Sequence, residues 1–128
     1  MSGSSPGLLA LVALGGAVGS VLRYSVGLWC TAWFGTALPW GTLAVNVIGS
    51  GLIGILGGAM LGGLPLPNEL RLLVITGFLG GFTTFSAFSL DVGVLWARSP
   101  AWGIGYLLAT VVLSLGAFAL CFTLARRF

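Results

Sequence analysis

From Tyr24 to Asn68 the chain contains no Asp, Glu, Lys or Arg, and the rest is scarcely richer in them. Only 5% of its 128 residues are charged, whereas a soluble domain carries about 25%. With 58% hydrophobic residues and 22 glycines, too little polar surface remains to keep a folded exterior wet. The pattern predicts an all-α integral membrane protein. A helix needs about 20 apolar residues to cross roughly 30 Å of hydrocarbon. Four crossings fit between the charges, over residues 8–28, 40–62, 70–96 and 101–124, as a single membrane domain filling residues 1–128. Turn chemistry marks the joints: Gly35 to Pro39, the Pro65-Leu66-Pro67-Asn68 run, and Ser99-Pro100, where Ser can cap a helix and Pro suits its first position. Met1 to Gly7 is expected to be a disordered lead. Leu8 to Val18 resembles the apolar core of a signal peptide but lacks preceding basic residues, so it is read as a retained first helix.

Loops of a few residues leave no room for an extramembrane domain, so function must lie within the bilayer. Its chemistry is narrow. There is no Lys, His or Gln, and the only carboxylates are Glu69 and Asp91, which removes most acid/base, Lys-based and side-chain metal chemistry. An enzyme is not expected; a membrane Ser protease, for example, would need a base. The five arginines, Arg23, Arg71, Arg98, Arg126 and Arg127, are scattered, whereas nucleic-acid binding needs a clustered basic face. Cys30, past the expected end of the first helix, and Cys121, near the end of the fourth, fall on opposite membrane surfaces and cannot bridge within one chain.

Small residues recur at GxxxG spacing: Gly15 with Gly19, then Gly54, Gly58 and Gly62, and Gly105 with Ala109. Such stripes let helix backbones approach closely in lipid. Four short helices enclose little volume, so a transport path calls for a second subunit. Arg71, Arg126 and Arg127 fall on the side of the termini, with Arg98 and Arg23 assigned to the other. This weak bias allows insertion in both orientations and an antiparallel dimer.

Polar residues inside membrane spans are functional candidates by default. Thr42, Asn46 and Ser50 share one ridge of the second helix, and Tyr106, Thr110 and Ser114 repeat the stride in the fourth. In the third span Gly77, Gly80, Gly81, Thr83 and Thr84 make a poor helix interior and predict a break near its centre. Broken helices turn carbonyls toward cations and free N–H groups toward anions. Just beyond the break, Phe85 and Phe88 lie on one face, interleaved with Ser86 and Ser89. The positive edge of an aromatic ring can favour an anion.

These segments resemble a known family. Thr76 to Ser89 (TGFLGGFTTFSAFS) is closely similar to the central signature of the Fluc/CrcB fluoride channels, Gly41 to Gly54 (GTLAVNVIGSGLIG) to their second helix, and Gly15 to Tyr24 (GGAVGSVLRY) to their first. The resemblance implies a dual-topology homodimer in the cell membrane, with two antiparallel fluoride pores and a central structural Na⁺ held by the carbonyls of Gly80 and Thr83. It further implies that Phe85 and Phe88 line the pore with Asn46 hydrogen-bonding near them, and that Ser86 and Thr84 are further pore candidates. Tyr106, Thr110 and Ser114 would form a polar track, and Arg23 would be the vestibule arginine that attracts anions. At Asp91 the family's pattern calls for Glu, and its role stays open. The implied task is passive export of toxic cytoplasmic fluoride. The rivals are a proton-coupled exporter similar to the small multidrug-resistance proteins, which needs a carboxylate that this first helix lacks, and a non-conducting scaffold subunit.

Overall fold

A computed structural model describes residues 5–128. It is all-helical, with four helical spans long and apolar enough to cross a membrane. The first two are α1 (Pro6–Phe34) and α2 (Trp40–Leu61). The third, Asn68–Arg98, is assembled from α3 (Asn68–Arg71), a π-helical segment (Leu72–Leu79), α4 (Gly80–Phe82) and α5 (Ser86–Arg98). The fourth is α6 (Pro100–Arg126).

The ends follow from local chemistry. Ser5 caps α1, its side chain accepting from the Leu8 N–H at 3.3 Å, and Pro6 occupies a first-turn position whose N–H has no helical partner to lose. Pro6 and Gly7 are therefore helical rather than part of a disordered lead; residues 1–4 of that expected lead lie outside the described residues. Nothing between Trp29 and Phe34 stops a helix, and α1 continues past Leu28 until Gly35 turns the chain with φ 81° and returns its N–H to the Thr31 carbonyl at 2.9 Å. Cys30 consequently lies inside α1, not beyond it. Extended Ser99 alone separates α5 from α6.

Packing runs through the glycine stripes. A Cβ on Gly15 would meet the Leu73 carbonyl and lie 2.8 Å from Phe78 N; one on Gly19 would meet the Phe78 carbonyl and lie 2.8 Å from Phe82 N. Backbone thus lies against backbone where α1 crosses the third span. Gly54 and Gly58 on α2, and Gly62 at its C-terminal cap, face the carbonyls of Phe118, Phe122 and Arg126 in turn. The same sequence separation recurs in all three pairs, so α2 and α6 run parallel in one fixed register. Gly105, by contrast, has open space above it, and with Ala109 it borders an apolar groove beside Trp40 and Trp102. That expected small-residue pair is not buried within the chain.

The two ends of the bundle differ. All five tryptophans gather at one end: Trp29 and Trp33 in the last turns of α1, Trp40 opening α2, Trp96 closing α5 and Trp102 opening α6. This is the amphipathic belt of a membrane interface, supplied on one side only. Arg71, Arg126 and Arg127 occupy the opposite end, and Arg98 alone stays with the tryptophans. Because α1 runs on to Phe34, Arg23 is a mid-span residue rather than an interfacial one.

A side chain at Gly54 would press on the Phe118 carbonyl, 2.6 Å from the added Cβ. Gly54→Val is expected to cost about 1–3 kcal/mol by overpacking and to lower the unfolding midpoint in detergent. Gly105→Ala, with open space above it, should not lower that midpoint.

Candidate functional site

The third span breaks where its hydrogen bonds are diverted. Thr83 closes the last helical turn, with its N–H and hydroxyl both donating to the Leu79 carbonyl at 3.0 and 2.8 Å. Its backbone then turns extended, with φ −86° and ψ 159°. The Thr84 N–H, which would have continued the helix to Gly80, instead donates to Asn46 Oδ1 at 2.9 Å. The Asn46 Nδ2 donates to the Thr84 carbonyl, also at 2.9 Å. One carboxamide on α2 thereby satisfies both backbone groups of Thr84, exposed by the break, which hydrocarbon would otherwise penalise heavily.

The surroundings fit this clamp. A Cβ on Gly49, one turn along from Asn46, would collide with the Thr83 methyl, so α2 approaches the break only because that residue is Gly. Thr84 Oγ1 accepts from the Ala87 N–H at 3.2 Å and caps the restart of the helix. Arg23 donates from Nε to the Gly81 carbonyl at 3.0 Å, tying α1 to the turn that the break interrupts. The Gly80 carbonyl is left without its helical donor.

Around the break opens a cleft of about 660 Å³. Asn46, Gly80, Thr83, Thr84, Phe85, Phe88, Thr110 and Ser114 all line it, as does Ser50. Phe88 is buried and Phe85 is 78% exposed, their ring centroids 5.7 Å apart and the rings tilted by 59°. Thr110 Oγ1 and Ser114 Oγ are buried without a protein partner. Buried polar groups are as a rule hydrogen-bonded, so these two hydroxyls are donors with capacity to spare.

Three of the residues singled out from sequence stand elsewhere. The Tyr106 hydroxyl donates to the Pro39 carbonyl at 2.9 Å, and its ring packs 5.9 Å from that of Phe88 and borders the apolar groove near Trp40. Ser86 is exposed and meets the Thr84 hydroxyl at 3.5 Å. Arg23 borders a second cleft, of about 340 Å³, with Tyr24, Thr31, Thr42 and Thr84. Thr84 is the residue that lines both clefts. Asp91 lies beside Thr42, with Tyr106 near.

The register of α2 on α6 adds what neither ridge reveals alone. Carried back turn by turn from Gly54 and Phe118, it sets Ser50 level with Ser114, Asn46 with Thr110, and Thr42 with Tyr106. Of these, Asn46, Ser50, Thr110 and Ser114 line one cleft, and Thr42 and Tyr106 stand outside it.

Four apolar spans, the third broken and opening on a cleft that brings uncharged hydrogen-bonding groups together, define a small multi-pass membrane protein with a candidate site among its spanning helices. The chain belongs to the CrcB-like family: the family described as "CrcB-like protein, Camphor Resistance (CrcB)" matches residues 10–122. A relative from Rhizobium etli (strain CIAT 652), named fluoride-specific ion channel FluC, is 57% identical over 108 residues, 84% of this chain and 86% of the relative. One of the same name from Agrobacterium fabrum is 50% identical over 121 residues, covering 93% and 96%. Another from Erythrobacter litoralis is 47% identical over 123 residues, covering 91% and 90%.

Asn46→Leu leaves both polar groups of Thr84 unpaired, each worth about 1–3 kcal/mol. The variant is expected to lose stability and to show faster amide hydrogen exchange confined at first to the segment around Thr83–Phe85, read by mass spectrometry in detergent. Unchanged exchange there would show that the clamp does not hold the break.

Proposed function

We propose that this protein is a passive, selective fluoride channel that lets toxic fluoride leave the cytoplasm. The observation that carries the reading is the cleft at the clamped break, where hydrogen-bond donors and phenylalanine rings meet with no side-chain charge among them. The names of the relatives supply the ion.

The chemistry follows from fluoride's strong hydration: a pathway must replace water with donors yet bind weakly enough at several points for the ion to leave. A primary amide has two N–H donors. Asn46 spends one on Thr84, and the second is available to the cleft it lines. Thr110 and Ser114 offer their unpartnered hydroxyls along α6. Phe85 and Phe88 present ring edges to an anion held between these donors. Thr84 and, beyond it, exposed Ser86 give the ion further hydroxyls at the break. The Arg23 guanidinium, its Nε donating to the Gly81 carbonyl, borders the second cleft and draws anions toward Thr84. Tyr106 supports the wall through Phe88 rather than lining the path. The chain carries no nucleotide-binding motif, so the membrane potential drives the ion, by about 2.3 kcal/mol per 100 mV.

Two further parts complete the proposal. The first is an antiparallel homodimer with two pores. The cleft holds the unpartnered hydroxyls of Thr110 and Ser114 and the non-helical backbone of the break, which are poorly suited to lipid, and a second copy would cover them. With Arg23 inside the membrane, the interfacial arginines stand three to one, a bias that by itself favours one orientation, so dual topology rests on the uncovered cleft and not on the charges. One-sided labelling of single introduced cysteines at the Arg71 end is expected to tag about half the molecules from each side; labelling from one side only would overturn dual topology.

The second part is a structural Na⁺. The residues fit it: the break frees the Gly80 carbonyl of its helical donor and leaves the carbonyl of Thr83 on extended backbone, and uncharged oxygens suit a hard cation. These two carbonyls, one set from each copy, would hold it. Bound there, Na⁺ supplies a fixed positive charge that offsets the cost of an anion at low dielectric.

Liposomes holding only this protein, with a K⁺ ionophore to clear the potential, are expected to lose fluoride rapidly and keep chloride. Phe85→Ile and Phe88→Ile should each cut that efflux by at least roughly tenfold, the effect of about 1.4 kcal/mol of barrier, with the dimer intact. No efflux from folded wild-type dimer would overturn the channel in favour of a scaffold or a coupled exporter.

A further inference from the structure

Ser50 has no part in the pathway drawn above, although it lines the same cleft as Thr110 and Ser114. Hydroxyls in membrane helices usually bond back to their own backbone. Here Ser25 does so to the Val21 carbonyl at 2.9 Å, Ser89 to that of Phe85 at 3.0 Å, and Thr83 to that of Leu79 at 2.8 Å. Ser50 makes no such back-bond among the described residues, a freedom it shares with Thr42, Thr110 and Ser114; what sets it apart is that it lines the cleft from α2. On the same cleft, and level with Ser50 by the register carried from Gly54 and Phe118, lies Ser114, its oxygen buried and without a partner.

The paired polar positions also end at this level. One turn further toward the Arg71 end, the ridge positions are Gly54 and Phe118, which pack backbone against backbone and offer no side-chain donor. Ile53 and Leu115 complete the apolar surround. An ion displaced from Asn46 in that direction therefore meets one last pair of hydroxyls before an apolar wall.

We propose that Ser50 and Ser114 form a fluoride-coordinating station, in which Ser50 supplies a donor from α2 that the fourth span cannot provide. This inference rests on the channel reading. Two hydroxyls from separate helices can hold a small, strongly accepting anion between them, and both can rotate away as it leaves. A larger halide gains less from them, because its hydrogen bonds are weaker and its radius forces the pair apart. The station thus adds to selectivity as well as to rate.

The test is fluoride efflux from liposomes, with dimer content checked by size exclusion, for wild type, Ser50→Ala, Ser50→Gly, Ser50→Thr and the control Ser25→Ala. Loss of the hydroxyl in Ser50→Ala and Ser50→Gly is expected to slow efflux roughly tenfold, the worth of one hydrogen bond to an ion. Ser50→Thr should restore most of it, and Ser25→Ala should match wild type. Adding Ser114→Ala to Ser50→Ala should cost less than the product of the two single effects, since both remove donors from one station. Wild-type efflux with Ser50→Ala unchanged overturns this inference and leaves the channel standing. Equal slowing in Ser50→Thr and Ser50→Ala also overturns it, since the hydroxyl would not be the agent. Absence of efflux from wild type removes the channel reading and this inference together.

Discussion

A peptide group stripped of hydrogen bonds inside hydrocarbon costs several kcal/mol, and the carboxamide of Asn46 spares Thr84 that penalty. Much of the local architecture depends on this exchange. Because Thr84 N–H turns to Asn46, the helix stops, the Gly80 carbonyl is released, and α5 begins afresh under the cap of the Thr84 hydroxyl. The restart sets Phe85 and Phe88 facing the cleft. Arg23 stabilises the other side of the discontinuity by holding the Gly81 carbonyl. Two side chains from two different spans thus make an interrupted helix tolerable at a depth where interruption is rare.

The clamp works only if α2 is delivered at the right height and distance, and glycine does that. Gly49 admits the Thr83 methyl, and the Gly54, Gly58 and Gly62 stripe seats α2 on the backbone of α6 with no freedom to slide by a turn. Without a hydrophobic drive between helices in lipid, such close contact and the hydrogen bonds it permits are the main sources of specificity. The same stripe pairs the polar ridges, so packing and chemistry are set by one register.

The four apolar spans were legible because seven charges in the chain leave few alternatives, and the Gly-Gly-Phe-Thr-Thr run pointed to a break in the third. The partner that makes the break was not legible as a bond, since Asn46 lies 38 residues from Thr84 in sequence. Nor was the π-helical winding of Leu72–Leu79: in an almost wholly apolar run, periodicity cannot separate 3.6 residues per turn from a wider coil. The polar ridges of α2 and α6 were each visible as a stride of four, but their pairing follows from a register set in three dimensions. Tyr106 shares that stride with Thr110 and Ser114 yet leaves the cleft, because the Pro39 carbonyl captures its hydroxyl. Arg23 read as interfacial while the first helix was taken to stop at Leu28, and became a mid-span residue once Gly35 proved to be its terminator.

The one-sided tryptophan belt has a consequence for how the molecule can be observed. Intrinsic emission comes from Trp29, Trp33, Trp40, Trp96 and Trp102, so a fluorescence trace follows the wetting and burial of a single end. The Asn46–Thr84 clamp carries no tryptophan of its own. Quenchers fixed at known depth in the lipid would report where that end sits, and any optical record of the break itself requires a reporter placed there by design.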